Sequence, residues 1–230
     1  NLYGANAYRR YERRALEEVV GFGRWMLLSS AVGVLAMNGD RIWFGGSMSA
    51  AELGVYSIAV LFLGALQMGM QRLLGAVALP AFSEAARVND TARLHLLYDR
   101  FKLMFDLISL FLCGVAWVLS PLLIHFLYDE RYAGAGHMLA ILSLSFFTWR
   151  FAVAHQLWLA LGLTKYQAMD NIIRLVSLWG LLPLLLAVGG VEWAIWGVAL
   201  HAVPTLVLVV YVNCKLGMFS LKRELVVLPM

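Results

Sequence analysis

Hydrophobic positions along this chain fall into long uninterrupted runs that short polar stretches separate. A transmembrane helix needs about 20 mostly apolar residues, or about 17–25 with tilt. Six runs of this kind predict membrane-spanning helices near residues 22–44, 53–79, 101–128, 134–161, 168–188 and 191–216. The alternation of apolar and polar residues in strands of about 10 residues that marks a membrane β-barrel is absent from the sequence. The pattern therefore predicts a bundle of α-helices.

Composition places these helices in a membrane. Hydrophobic residues make up 62% of the chain and charged residues 14%, with a mean hydropathy of +0.76. Soluble domains average about 45–50% apolar and about 25% charged residues. The predicted fold class is an all-α integral membrane protein with a six-transmembrane-helix bundle. No cleavable signal peptide is visible, and because the chain begins with Asn1 rather than Met we expect a fragment of a longer protein.

The charges between the runs predict the orientation of the bundle. Basic residues gather before the first run, after the second and fourth runs, and after the sixth: Arg9, Arg10, Arg13, Arg14, Arg24, Arg87, Arg93, Arg100, Lys102, Lys165, Lys215, Lys222 and Arg223. The intervening loops are mainly acidic. Cytoplasmic loops carry the excess of Lys and Arg, so both termini of this chain are predicted to be cytoplasmic. Six spans fit this prediction, because an even number returns the chain to the side on which it starts.

This division predicts three segments. Residues 1–20 form a basic juxtamembrane helix against anionic lipid headgroups, residues 21–217 form the six-helix lobe, and residues 218–230 form a cytoplasmic tail. The net charge of +4 comes mainly from these cytoplasmic arginines and gives no reason to expect nucleic acid as a partner.

Charged residues at membrane depth carry the candidate chemistry. Such residues are costly in lipid and mark functional sites when they face a bundle interior or a wet cavity. Arg150 lies near the middle of the fourth predicted span, where it needs an anionic partner or water. The others are Asp40, Arg41, Arg72, Asp106, His155, Asp170 and Arg174.

Several of these charges have structural alternatives that the sequence leaves open. Arg72 can extend to the cytoplasmic headgroups. Asp170 and Arg174, four residues apart, can pair along one helix face. Asp106 can be a first-turn acid, and His155 can be a packing histidine.

The sequence offers no enzyme motif. It contains no nucleophile elbow, no phosphate-binding glycine loop, no HExxH and no Cys/His metal spacing. Cys113 and Cys214 lie in apolar runs, where cysteine usually acts as a small hydrophobic residue. We therefore predict neither an enzyme nor a metal site, and no bound cofactor.

Four segments resemble a known family. They are FGRWMLLSSAVGVLAMNGDRIWFGGSMSAAELGVYSIA (residues 22–59), LPAFSEAAR (79–87), YDERYAGAGHMLAILSLS (128–145) and LALGLTKYQAMDNIIRL (159–175). In this order they resemble the C-terminal half of Wzx-type oligosaccharide flippases, which serve lipopolysaccharide and O-antigen synthesis. These are polysaccharide transporters of the multidrug/oligosaccharidyl-lipid/polysaccharide (MOP) exporter superfamily.

The resemblance implies a fold and a function. The chain would be one lobe of a two-lobe transporter in the bacterial inner membrane, and its partner would be a preceding six-helix lobe. The family is thought to move undecaprenyl-diphosphate-linked oligosaccharide across that membrane by alternating access. Polysaccharide polymerase and chain-length proteins would be further partners, alongside membrane lipids.

Candidate substrate contacts follow from the chemistry of such a cargo. Arginine binds diphosphate through charge and paired hydrogen bonds, and aromatic, amide or hydroxyl groups bind sugars. The cavity candidates are Arg150, Arg174, Arg41, Arg72, Gln156, Asn171 and Trp149. Because no ATP motif is present, an H⁺ or Na⁺ gradient would drive transport, with Asp40, Asp106 and Asp170 as candidate coupling residues.

Two alternatives remain open at this point. A multidrug or lipid II exporter of the same superfamily would share the fold and carry another cargo. A non-transporting scaffold of a polysaccharide synthesis complex would place its charges on separate surfaces rather than around one cavity.

Overall fold

The computed structural model describes residues 2–218, and for residues 2–19, 22 and 37 it describes the backbone only. This part of the chain is helical throughout and contains no strand. The helices are α1 (Leu2–Ser47), α2 (Ala50–Arg87), α3 (Thr91–Leu127), α4 (Ala133–Ser143), α5 (Phe146–Trp149), α6 (Ala152–Ala160), α7 (Thr164–Leu200) and α8 (Thr205–Lys215), with a 3₁₀ turn at Glu130–Tyr132 before α4. The predicted tail from residue 219 onward lies outside the described residues.

The all-α membrane class is confirmed. Among residues 2–218, three helical stretches are long and apolar enough to cross a membrane: Ala50–Arg87, Thr91–Leu127 and Thr164–Lys215. The bent stretch from Glu130 to Ala160 makes a fourth if it counts as one span. Large apolar side chains such as Phe111 and Phe126 are exposed, as expected for a surface that faces lipid. The count of six spans and the three-segment division stay predictions.

The first helix is much longer than the predicted span at 22–44. Helix α1 runs without a break from the basic N-terminal segment to Ser47. The contacts of the arginines in that segment lie outside the described side chains. At the other end, α1 continues through Asp40 and Arg41 to Trp43 and Phe44, as the predicted span 22–44 implies.

The predicted end of the second span at residue 79, just before Pro80, is wrong. Pro80 lies inside α2, which continues to Arg87. Proline removes one backbone hydrogen bond, but a membrane helix tolerates that loss when neighbouring groups compensate for it. The helix ends instead where Asn89 adopts a positive φ of 53°, and Asp90 then caps α3 by accepting a hydrogen bond from the backbone N–H of Arg93 at 2.9 Å.

Helix α3 consequently begins far earlier than predicted. It starts at Thr91 rather than near residue 101, so Arg93 and Arg100 lie in the helix and not in a preceding loop. Asp106 is then several turns inside α3, which excludes the alternative that it is a first-turn acid.

The fourth predicted span, 134–161, is not one continuous helix. It divides into α4, α5 and α6, and its two halves meet at an angle of 40° between Trp149 and Ala152. Neither Gly nor Pro occurs at this break. The Ser143 and Thr148 hydroxyls donate to the carbonyls of Ala140 and Ser145 three residues earlier, at 2.6 and 2.8 Å. Such side-chain bonds to the preceding turn bend helices.

A glycine kink falls between the fifth and sixth predicted runs. Gly190 has φ 70° and ψ −157°, which side-chain-bearing residues rarely adopt, so α7 changes direction there. A second interruption at residues 201–204 separates α7 from α8.

The helices pack in a bundle around an aromatic core. Helix α1 lies mainly along α7, α3 packs on α4, and α2 packs on α4 and α6. The largest fully buried side chains include Tyr56, Phe82, Phe105, Phe146 and Trp158. This arrangement brings α3 and the broken α4–α6 segment together, which places the charged residues described below.

The contact between α3 and α4 depends on Gly136. A Cβ atom at this position would lie 2.6 Å from the Cα of Pro121, so the two backbones touch. We predict that Gly136→Ala destabilises the protein by about 1–3 kcal/mol, the usual effect of overpacking. Thermal unfolding of the full-length protein in detergent measures this effect.

Gly134→Ala is the matched control. Its Cβ would meet only Cγ1 of Val55, at an ordinary 3.5 Å. We expect stability equal to or above that of the wild type, because alanine favours helix more than glycine does. Equal stability of the two variants would contradict the proposed backbone contact.

Candidate functional site

Asp106 is the centre of a buried ionic cluster. Its two oxygens accept hydrogen bonds from Nζ of Lys102 at 2.7 and 2.6 Å. They also accept from Nε and Nη2 of Arg150, both at 3.0 Å. The second pair is a parallel, two-bond contact, the geometry in which guanidinium and carboxylate interact most strongly.

The cluster is almost completely removed from solvent. The exposed fractions of the three side chains are 9% for Lys102, 2% for Asp106 and 3% for Arg150. The ring of Phe151 covers both cations: Nζ of Lys102 lies 4.5 Å from its centroid, and Cζ of Arg150 lies 5.3 Å from it. Cation–π contacts of this kind strengthen when water is excluded.

Two helical segments position the three residues. Lys102 and Asp106 are one turn apart on α3, so they lie on the same face. Arg150 lies at the break between α5 and α6, and both of these short helices contact α3. The structure thus provides Arg150 with the anionic partner that its depth requires, and that partner belongs to the protein.

A second cluster joins α6 and α7. Nε of Arg174 donates to Oδ2 of Asp170 at 2.7 Å, which is the intrahelical pair that the spacing allowed. Nε2 of His155 lies 3.4 Å from the same oxygen, and the His155 ring packs edge-on against Trp158. Asp170 is buried, whereas Arg174 retains 22% exposure and reaches the surface of the bundle.

Asp40 belongs to neither cluster. The hydroxyl of Tyr56 on α2 donates a hydrogen bond to its Oδ2. The other oxygen, Oδ1, is buried and receives no hydrogen bond from the described residues. Helix α2 therefore supplies the partner of Asp40, while the adjacent Arg41 points outward and is exposed.

The other predicted substrate contacts are spread over the bundle. Arg72 on α2 is exposed, and Trp149 and Gln156 are partly buried on either side of the break. Nδ2 of Asn171 donates to the carbonyl and the hydroxyl of Ser29 at 2.9 and 2.8 Å, which ties α7 to α1. The predicted substrate-contact residues thus do not all lie on one surface in this conformation.

Sequence reasoning missed Lys102, Tyr56 and His201. In the sequence Lys102 counts only among the basic residues that predict orientation, although its spacing of four from Asp106 is a usable signal. Tyr56 gave no signal, because a tyrosine in an apolar run is unremarkable. His201 lies within electrostatic range of Asp40, Asp170 and Arg174, and its Nδ1 is 2.6 Å from the carbonyl of Val198.

Two comparisons with known proteins agree on a polysaccharide biosynthesis family. A family model described as polysaccharide biosynthesis protein matches residues 6–137, more than half of the chain. The amylovoran biosynthesis protein AmsL of Erwinia amylovora is 28% identical over 124 residues, which cover 54% of this chain and 31% of that protein. The chain thus spans less than a third of the length of this relative. No solved structure matches the chain.

Asp106→Asn tests the buried cluster. The variant keeps the shape of the side chain but removes the negative charge that Lys102 and Arg150 share. Breaking a buried ion pair costs about 3–5 kcal/mol, so we predict a loss of stability of that size. Unfolding of the full-length protein in detergent, followed by the loss of helical circular dichroism, measures it.

Asp129→Asn serves as the control. Asp129 also pairs with an arginine, Arg131, but their side chains are 75% and 83% exposed. Exposed pairs contribute little, so the stability should be unchanged. A cluster without structural importance would give the same result for both variants.

Proposed function

Because this chain belongs to the polysaccharide biosynthesis protein family, we propose that it forms one lobe of a Wzx-type flippase. In this proposal the full protein moves undecaprenyl-diphosphate-linked oligosaccharide from the cytoplasmic to the periplasmic leaflet of a bacterial inner membrane. It does so by alternating access, as a transporter and not as an enzyme. Both termini of the chain lie in the cytoplasm, and a second six-helix lobe completes the cavity.

The observation that carries the proposal is the ionic pair of Asp106 and Arg150 at the break of a bent span. Charges held inside a membrane bundle typically belong to transport pathways. Transporters also tend to build their binding sites where membrane helices are interrupted. Here both features coincide at Arg150, in a chain of a polysaccharide biosynthesis family.

The arginines divide into two roles in this proposal. Arg41 and Arg72 are exposed and Arg174 is partly exposed, so their guanidinium groups are available to a diphosphate. Arg150 binds Asp106 in this conformation. It acts first by holding the break in place, and contacts the diphosphate only when that ion pair opens.

The uncharged candidates suit the sugar part of the cargo. Trp149 and Gln156 lie on either side of the break and are partly buried, so they can meet a ligand without leaving the bundle. Asn171 can exchange its hydrogen bonds to Ser29 for bonds to sugar hydroxyls. The lipid tail stays in the bilayer, and Asp40, Asp106 and Asp170 are the carboxylates through which H⁺ or Na⁺ would drive the cycle.

A deletion strain tests the proposed function. Removal of the gene should cause lipid-linked oligosaccharide to accumulate on the cytoplasmic face, as measured by its protection from a periplasmic glycan-modifying enzyme. We predict that Arg150→Ala and Arg174→Ala fail to restore export. Arg150→Lys should also restore it poorly, because an ammonium cannot form the two parallel bonds to Asp106.

The control is Arg131→Ala, which removes an exposed arginine from the loop before α4 and should restore export fully. Immunoblots of membranes establish that each variant is present in equal amount. Full rescue by both Arg150→Ala and Arg174→Ala would contradict the proposed role of these residues. A deletion strain in which the glycan still reaches the periplasm would instead favour the scaffold, and accumulation of a different cargo would favour another exporter of the superfamily.

A further inference from the structure

Among the side chains that the structure describes, three carboxylates are buried, and one of them differs from the others. Asp106 has Lys102 and Arg150 as ion-pair partners, and Asp170 has Arg174 and His155. Asp40 is 5% exposed, yet within residues 2–218 it forms an ion pair with no cation. Its negative charge is therefore the least compensated of the three.

Packing encloses Asp40. The ring of Tyr56 stacks edge-on against Phe44, with centroids 4.7 Å apart, which holds the hydroxyl at Oδ2. The preceding residue in the chain, Gly39, packs so closely on Trp179 that an added Cβ would lie 2.8 Å from the indole nitrogen. Oδ1 remains buried without a hydrogen-bond donor.

The charged and titratable groups around Asp40 do not compensate its buried negative charge with an ion pair. On α1, Arg41 is exposed and lies within electrostatic range of Tyr56, but it forms no ion pair with Asp40. On α2, Tyr56 supplies a neutral hydroxyl. From the turn after α7, His201 lies within electrostatic range, but its ring bonds the Val198 carbonyl and it also interacts with Asp170 and Arg174.

Burial of an ionised carboxylate without a cation is costly, whereas the neutral acid is tolerated. Oδ1 is an open position at which one proton can bind. Binding adds one hydrogen to Oδ1 and makes Asp40 neutral, and no covalent bond is broken. It also converts the charge-assisted hydrogen bond from Tyr56 into a weaker neutral one.

This hydrogen bond has a mechanical consequence, because α1 lies along α7 and has few contacts with α2. We propose that Asp40 is a proton-binding site that controls the α1–α2 contact: the ionised carboxylate holds Tyr56 through a charge-assisted hydrogen bond, and protonation weakens that bond. The coupling of this weakening to substrate movement rests on the proposed flippase function. The proton site itself does not, and it selects Asp40 from the three candidate coupling carboxylates because Asp106 and Asp170 already hold cations.

Infrared difference spectroscopy tests the site directly. The full-length protein in liposomes is titrated from mildly alkaline to mildly acidic pH in H₂O and in D₂O. A protonated, buried carboxyl group gives a carbonyl band that is distinct from that of the carboxylate. We expect this band to appear on acidification, to vanish in Asp40→Asn and to shift in Tyr56→Phe.

Matched variants assign the band. Asp106→Asn, Asp170→Asn and His201→Asn should each retain it, and circular dichroism shows whether each protein is folded. Persistence of an unchanged band in Asp40→Asn, or its loss only in Asp106→Asn or Asp170→Asn, would overturn the proposal. Tyr56→Phe keeps the test decisive if Asp40→Asn does not fold, since a band unaffected by loss of this donor cannot belong to Asp40.

A transport measurement on the same liposomes separates this inference from the function on which its coupling rests. If lipid-linked oligosaccharide crosses the wild-type membrane at a rate independent of pH, the proton-controlled contact is wrong while the flippase stands. If the band belongs to Asp40 but no oligosaccharide moves, the proton site stands and the flippase proposal fails.

Discussion

The carboxylate of Asp106 is the constraint on which the packing of this bundle depends. It holds an ammonium and a guanidinium in an apolar interior, and removal of any one member leaves charge behind at high cost. Helix α3 must therefore keep its position relative to the junction of α5 and α6, because a larger shift would break the hydrogen bonds of the cluster. The ring of Phe151, which covers both Lys102 and Arg150, couples that register to the core.

The broken segment from α4 to α6 positions Arg150, one member of this cluster. A straight helix through residues 134–161 would keep the direction of α4 throughout. Instead, a 40° bend at Arg150 directs the second half along α2. The bend arises from serine and threonine side chains that bond to the preceding turn, and the close approach of Gly136 to Pro121 anchors the first half. Backbone geometry and charge placement thus support each other.

The buried acids divide the bundle into parts with different mechanical properties. Where a carboxylate has strong cationic partners, as Asp106 and Asp170 have, the helices are held in one arrangement. Where the partner is a single hydroxyl, as for Asp40 and Tyr56, two helices meet through a bond that one proton can weaken. The proposed transport cycle would use both properties, because rigid units must move against each other at a few labile contacts.

The sequence by itself determined the features of the protein that depend on local periodicity and composition. The apolar runs establish an all-α membrane protein, and spacing of four along a helix brings Asp170 to Arg174 whatever the tertiary fold. Tertiary structure alone decided that Lys102 is buried and that Arg150 meets Asp106. Such pairings depend on the rotation, register and bends of different helices, which many side chains set together through packing.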